Sequence, residues 1–194
     1  MSSQVPTLST RLLCAALPLA GLYRIERQRL GDNRGFFSRI FCAQELAAVG
    51  WPGPVAQINH SYTARRGTIR GMHFQHPPHA EAKLVSCLRG AVWDVAVDLR
   101  AGSPTLLRWH AQELSVDNGA ALLIPAGFAH GFQTLCDDVE LLYCHSVPYQ
   151  ASAEAGLDAF DPRLAIAWPL PMTERSARDS AHPAIAPDFQ GLLL

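Results

Sequence analysis

The sequence predicts a mostly β fold, a barrel with one or a few short helices. Fourteen glycines and fourteen prolines divide the 194-residue chain into short segments. Within these segments apolar and polar residues alternate with a period of two, which is typical of strands joined by turns. In the clearest case, residues 92–99, four apolar side chains would face one way and Asp94, Ala96 and Asp98 the other way.

The predicted elements form a single domain, because chains of about 200 residues commonly fold around one core. Residues 1–18 are expected to be an N-terminal extension and residues 19–150 the barrel. Residues 151–194 are irregular and rich in proline and alanine, and we expect them to pack on the barrel as part of the same domain.

Individual elements can be placed within this plan. Residues 19–27 are expected to form the first strand, and the alternating segment 139–147 predicts a later one. Residues 43–49 are good helix formers that end at Gly50 and are followed by Pro52, which predicts one short helix.

Two segments have the spacing of cupin motifs, which are found in jelly-roll barrels. The first runs from Gly67 to His73 and continues to Glu81 and Gly90. The second joins Gly119 to the run 125–130, Pro-Ala-Gly-Phe-Ala-His. The expected fold is therefore a cupin-like jelly-roll β-barrel, whose mouth is a natural site for a small molecule.

Composition excludes several classes of function. The formal net charge is −1 and no basic tract is present, so the electrostatic footprint of a nucleic-acid-binding protein is missing. The five cysteines are odd in number and form no C-x-x-C pair, which favours reduced thiols and a cytoplasmic protein. The apolar run 12–22 is too short to span a membrane and has weak signal-peptide features.

A polar strand face is the first candidate for a binding site. Gln57, Asn59 and Ser61 would lie on one face of a strand, which requires a wet cleft or an exposed edge strand. The next segment, residues 65–75, places Arg70 and His73 around glycines in a barrel strand. Such glycines indicate a bulge or a close approach of two backbones, which favours the cleft.

A metal-dependent cupin site is an alternative. Its ligands would be His73, Glu81 and His130, because imidazoles and a carboxylate form such sets. Glutamine stands at position 75, where a second early histidine would be expected, and the cationic Lys83 is close in sequence. We therefore expect no metal; the two histidines could also be structural.

Several motifs in the chain resemble the dTDP-4-dehydrorhamnose 3,5-epimerase family of nucleotide-sugar epimerases. Two of them, Arg70-Gly-Met-His73 and the run Gly-Phe-Ala-His-Gly-Phe at 127–132, are highly specific. The others lie in the family's order at 32–37, 57–61, 83–85, 94–105, Tyr143, 161–169 and 176–179.

This resemblance implies roles for particular residues. His73 would be the general base, Asp179 the carboxylate that orients it, and Tyr143 the general acid. Residues around the sugar and its 4-keto oxygen would be Lys83, His130 and Arg70. Residues that hold the nucleotide and its phosphates would be Arg34, Gln57, Asn59, Glu154 and Arg178. The resemblance also implies a cofactor-free homodimer.

The chemistry of such a reaction suits these residue types. A proton next to a ketone is weakly acidic, and histidine has the intrinsic pKa of a base near neutrality. The resulting enolate would carry negative charge on O4, where Lys83 or Arg70 could stabilise it. Tyr143 could return a proton, although an ordinary core tyrosine has the same pattern. Strict alternation would put Arg70 and His73 on opposite faces, and a bulge at Gly71 could reconcile them.

Two departures from the family pattern, Arg39 and Arg178, leave the identity of the nucleotide and sugar open. The sequence also leaves open whether C3, C5 or both carbons are inverted. A non-catalytic sugar-nucleotide binding protein is a further alternative, favoured if His73 and Asp179 lie too far apart for a hydrogen bond.

Overall fold

A computed structural model of the protein describes residues 10–194. It contains thirteen strands and two short helices in that part of the chain. The elements are β1 (Leu12–Ala16), β2 (Tyr23–Arg27), β3 (Arg29–Asp32), β4 (Gly35–Ser38), α1 (Ala43–Ala47), β5 (Gln57–Thr63), β6 (Ile69–Gln75), β7 (Lys83–Arg89), β8 (Ala91–Asp98), β9 (Trp109–Ser115), β10 (Ala120–Ile124), β11 (Phe128–Thr134), β12 (Val139–His145), β13 (Glu154–Gly156) and α2 (Ala177–Ser180).

Two antiparallel sheets form the barrel, which confirms the predicted mostly β, jelly-roll fold. The six-stranded sheet has the order β1-β2-β10-β7-β12-β5, and the five-stranded sheet has the order β13-β6-β11-β8-β9. Strands β3 and β4 form a separate hairpin. Neither helix in the described residues is long and apolar enough to cross a membrane.

Apolar side chains fill the barrel and cover both outer faces. Val85, Leu122 and Phe132 belong to a buried cluster between the sheets. On the outside of the six-stranded sheet, α1 contributes Leu46 to a second cluster. The C-terminal residues cover the outside of the five-stranded sheet, where Leu157, among others, packs against Val95. Both faces of each sheet are therefore buried along part of their length.

The clearest sequence predictions are confirmed within a residue or two. The strand predicted at 92–99 is β8, and its alternation holds, because Val95 and Val97 face the C-terminal segment while Ala96 faces the barrel interior. The helix predicted at 43–49 is α1, and the chain leaves it through Gly50 in the left-handed region at φ 95°.

The start of the fold differs from the prediction. The expected strand at 19–27 begins at Tyr23, and residues 18–21 form a bend and turn. An additional strand, β1, lies at Leu12–Ala16 and pairs with β2. Part of the N-terminal segment 1–18, which was expected to be an extension, thus adds an edge strand to the six-stranded sheet. Residues 1–9 of that segment lie outside the described residues.

One of the family-like motifs has a structural role. The buried carboxylate of Asp98 accepts hydrogen bonds from Arg100, Ser103 and Thr105. Burial alone would raise the pKa of Asp98, but these hydrogen bonds outweigh it and lower the pKa to about 2. The motif therefore ties the turn after β8 to the end of that strand.

Candidate functional site

A bulge in β6 brings Arg70 and His73 to the same side of the strand. The pairing with β11 joins His130 to His73 but Phe132 to Arg70, so β6 has one residue more than β11 over this stretch. Gly71 sits at φ 130°, and a Cβ atom there would lie 2.5 Å from the Cα atom of Gly131. Only glycine suits this conformation and this close contact. The predicted bulge is therefore present, and Arg70 and His73 line one cavity.

His73 is hydrogen-bonded to a buried carboxylate. Its Nε2 atom lies 2.9 Å from Oδ1 of Asp179, while Oδ2 of Asp179 accepts the backbone N–H of Gly71. Ser176 caps α2 by accepting the N–H of Asp179, which fixes the carboxylate beside β6. Burial would raise the pKa of Asp179, but the hydrogen bonds from His73 and Gly71 hold it well below its ordinary value. The residue is thus an anion that accepts a hydrogen bond from the imidazole.

This dyad borders a cavity in the barrel mouth, which we call the barrel cavity. It has a volume of about 250 Å³. Its lining residues are Asn59, His60, Ser61, His73, Phe74, Gln75, Glu81, Lys83, Tyr143, His145, Tyr149 and Glu154. A basic group, an ammonium and a phenol therefore face one small space.

Tyr143 and Lys83 come from neighbouring strands of the six-stranded sheet. Tyr143 on β12 lies beside Val85 on β7, so its ring and the Lys83 side chain are on the same inner face. The Tyr143 hydroxyl is 3.1 Å from Oγ of Ser61. Burial raises the pKa of Tyr143 well above its ordinary value, so the phenol keeps its proton. Nζ of Lys83 lies 2.9 Å from Glu81, and the lysine side chain is only 10% exposed.

The ligand set of the metal-dependent alternative does not converge in the described residues. Glu81 is held by Gln75 and Lys83, and His130 pairs with buried Asp94 at 2.8 Å. Among the described residues, a different group, His73, Asp179 and His182, has three potential ligand atoms within 4.8 Å of one another.

His130 was expected beside the sugar, but it does not line the barrel cavity. Its side chain is 7% exposed, and its ring lies edge-on to Tyr143 with centroids 6.1 Å apart. His130 thus lies near the Tyr143 ring, and its Nε2 atom pairs with Asp94.

A second, larger cavity of about 550 Å³ adjoins the first at His73. Arg70, Arg178 and Asp179 contribute to its lining, and we call it the outer cavity. Arg178 also makes an ion pair of 3.0 Å with Glu154, a residue of the barrel cavity. The guanidinium groups of Arg70 and Arg178 therefore lie beside the His73–Asp179 dyad, where they could bind a negatively charged group.

The polar face of β5 is part of the same region. Gln57 donates to Asn59, and Asn59 lies 3.4 Å from Nε2 of His145. The Gln57 side chain also accepts the backbone N–H of Tyr149. Strand β5 is an edge strand of its sheet, and Asn59 and Ser61 also line the barrel cavity. The polar face is therefore partly an exposed edge and partly a cavity wall, as the two alternatives predicted.

Arg34 lines neither cavity and belongs to the separate β3–β4 hairpin. It sits in the turn between β3 and β4, bonded to Asp32, with its side chain 86% exposed. Arg39 also lies elsewhere, in an ion pair with Glu45 at the start of α1.

Three residues of the region were not among the predicted site residues. Tyr149 lines the barrel cavity and donates to Glu154. His145 lies two residues after Tyr143 on the same strand face, and burial, with the charge of Lys83, lowers its pKa to about 4. The ring of His182 lies 5.6 Å from that of His73. The period-two pattern of β12 could have shown His145; the positions of the other two depend on loop paths.

The sequence of the chain is similar to those of known proteins. The sequence profile of dTDP-4-dehydrorhamnose 3,5-epimerases matches residues 16–187. A dTDP-4-dehydrorhamnose 3,5-epimerase of Sinorhizobium fredii is 45% identical over 175 residues, covering 88% of each chain. A dTDP-4-dehydrorhamnose 3-epimerase of Streptomyces niveus is 39% identical over 164 residues, covering 84% of this chain and 79% of the other.

Solved structures give the same result. A dTDP-6-deoxy-D-glucose-3,5-epimerase of Legionella pneumophila, in complex with dTDP-4-keto-L-rhamnose, superposes with a TM-score of 0.87 and 34% identity. The match covers 94% of this chain and 99% of that one. With the profile match over most of its length, the chain belongs to the dTDP-4-dehydrorhamnose 3,5-epimerase family.

Proposed function

We propose that the protein is an isomerase that epimerises a nucleotide-linked 4-keto-6-deoxy sugar by proton transfer. The observation that carries the proposal is the hydrogen-bonded His73–Asp179 dyad, which shares one cavity with Lys83 and Tyr143. These groups are a base, a cation and an acid, which are the parts that inversion next to a ketone requires.

His73 removes the proton from the carbon next to the 4-keto group. Its Nε2–H donates to the anionic Asp179, so the lone pair on Nδ1 is the basic site. The carboxylate stabilises the imidazolium that forms and keeps the ring in this tautomer. Asp179 is therefore a positioning residue for the base.

Lys83 stabilises the enolate. Removal of the proton leaves negative charge on O4, and a buried ammonium interacts with it more strongly than it would in water. The ion pair with Glu81 holds Nζ in the cavity before substrate arrives. Arg70 lines the outer cavity beside His73 and adds a second positive charge.

Tyr143 returns a proton to the enolate carbon. Its raised pKa keeps the phenol protonated, and the hydrogen bond with Ser61 fixes its hydroxyl in the cavity. If this proton arrives on the face opposite His73, the carbon is inverted.

The nucleotide and its phosphates lie along Gln57, Asn59, Glu154 and Arg178, as the family resemblance implies. Arg178 spans the two cavities through Glu154 and offers a bidentate guanidinium to a phosphate. The names of the relatives support a dTDP-linked sugar, and both 3,5-epimerases and a 3-epimerase are among them. The reaction needs no cofactor, because the residues already described supply the base, the cation and the acid.

A homodimer accounts for the position of Arg34. The β3–β4 hairpin presents Phe36 and Phe37 with 58% and 69% of their surface exposed, and Arg34 lies between the strands. Docking of this hairpin on a second copy buries the two rings and brings Arg34 to the phosphates bound there. The five free thiols favour the cytoplasm as the compartment.

Incubation with dTDP-4-keto-6-deoxyglucose tests the activity, with inversion at C3 and C5 followed by NMR. We expect inverted product from the wild-type protein and a decrease of about 10²–10⁴-fold in His73→Asn. Absence of any product from folded wild-type protein would overturn the proposal, and an active His73→Asn would reject this base.

A further inference from the structure

We infer that His73, Asp179 and His182 form a site for a transition-metal ion of the Zn²⁺ type, and that the ion inhibits the protein. Two imidazoles and a carboxylate are a recurrent ligand set for zinc. The site is separate from the cupin-type set of His73, Glu81 and His130, which does not converge. Because it includes the proposed base, its occupation has a chemical consequence.

The three ligand atoms are nearly at zinc-binding distances from one another. Oδ1 of Asp179 lies 2.9 Å from Nε2 of His73 and 3.9 Å from Nε2 of His182. Ligands at about 2.0–2.1 Å from a tetrahedral ion are separated by about 3.3 Å. The two distances lie on either side of this value, so small side-chain rotations would complete the set. A water molecule would complete the four ligands that zinc prefers.

His182 is the residue that makes this a metal site. Its side chain is 14% exposed, and its Nε2 atom is buried without a hydrogen-bond partner in the described residues. A buried polar atom with no partner is uncommon and suggests an unsatisfied ligand. Gly156 permits the ring to lie there, because a Cβ atom at that position would be 2.4 Å from Nε2 of His182.

Surrounding groups hold the ligands in place. Oδ2 of Asp179 accepts the N–H of Gly71, whereas Oδ1 faces Nε2 of His73 and lies 3.8 Å from Nε of Arg178, which an incoming ion would displace. The rings of His73 and His182 are nearly perpendicular, with an angle of 73° between their planes. The two ring nitrogens and the carboxylate oxygen nevertheless all lie within 4.8 Å of one another.

Metal binding would remove the base without filling the cavity. Zn²⁺ takes the Nε2 lone pair of neutral His73, so the ring proton must move from Nε2 to Nδ1. The imidazole stays neutral and no proton is gained or lost by the ring, but Nδ1 no longer has a lone pair for the substrate. Inhibition should therefore lower kcat more than it raises KM. This part of the inference rests on the proposed function, whereas the binding of the ion does not.

Titration of the metal-free protein with ZnCl2 tests the site by calorimetry and, in parallel, by the epimerisation assay. We expect saturable binding of one ion per chain at micromolar zinc and a fall in kcat on the order of 10²-fold, reversed by EDTA. Mg²⁺ at the same concentration should neither bind nor inhibit, because it prefers oxygen ligands. Substitution of Co²⁺ should give the visible absorption of a four-coordinate ion.

The variants His182→Asn and His182→Gln should lose both the binding of zinc and its inhibition, and they should keep the activity measured without zinc. His76→Asn is the matched control, because it removes an exposed histidine outside the group. If both His182 variants bind and respond like wild type, or if wild type binds no zinc, the site is rejected. If wild type binds zinc through His182 without losing activity, the site stands and the assignment of Nδ1 as the base fails.

Discussion

His145 should make the stability of the protein depend on pH below neutrality. The residue is paired with Lys83 across the sheet and lies in the barrel cavity next to Tyr143. Burial is the main reason that its pKa falls from 6.5 to about 4, and the charge of Lys83 adds to it. The charge of Glu81 raises the pKa of His145, whereas His130, like Lys83, lowers it. The folded protein therefore keeps His145 neutral at pH values at which the unfolded chain protonates it.

The size of the effect follows from this shift. A histidine whose pKa is lowered by folding costs stability as the pH falls from its unfolded value towards its folded value, because the unfolded state binds the proton first. For values of 6.5 and about 4, the loss between pH 7.5 and pH 5 is about 2 kcal/mol. No further loss from this residue is expected well below pH 4.

Urea unfolding of wild type and His145→Gln at pH 7.5 and pH 5 measures this contribution. Glutamine is polar and does not titrate, so the variant should lose about 2 kcal/mol less than wild type between the two conditions. His76→Gln, which removes an exposed histidine, serves as the control and should keep the wild-type difference. If His145→Gln shows the same pH dependence as wild type, the histidine is not held neutral by its surroundings and the reasoning is wrong.

Three further substitutions test the geometry of the site. In Gly71→Ala the added methyl group would lie 2.5 Å from the Cα atom of Gly131 at an unfavourable φ, so we expect a loss of at least about 2 kcal/mol in urea unfolding and a larger loss of kcat. Asp179→Asn leaves His73 without its anionic partner, so kcat should fall on the order of 10²-fold or more, while calorimetry with dTDP should show nearly unchanged binding. Lys83→Met should lower kcat by about 10²–10³-fold with a smaller change in KM, since its charge matters most in the enolate.

Local sequence patterns were sufficient for strands β8 and β12 and for the single helix before the C-terminal third. The alternation of β8 follows from side chains pointing to opposite faces, and α1 ends where Gly50 and Pro52 require it. The first strand was misplaced because β1 has apolar residues on both faces. Its Leu13 is 57% exposed, so the period-two pattern is absent.

The site was less accessible to local reasoning. The motifs named His73, Asp179 and Tyr143, but the 2.9 Å contact between the first two joins residues 106 positions apart in sequence. The bulge at Gly71 was suggested by the conflict between alternation and function, and only the pairing with β11 shows it. His182 and Tyr149 are positioned by irregular segments, for which no periodic pattern exists.

The most direct test of the proton-transfer account is Tyr143→Phe assayed in D2O with dTDP-4-keto-6-deoxyglucose. Deuterium entry at C3 and C5 is measured by NMR beside the formation of inverted product. Because His73 and Lys83 remain, the variant should still remove the proton, and His73 should return deuterium to the same face. Exchange should therefore exceed inversion by at least about tenfold relative to wild type. If exchange and inversion fall by the same factor, Tyr143 is a binding or packing residue and the account of a separate acid is contradicted.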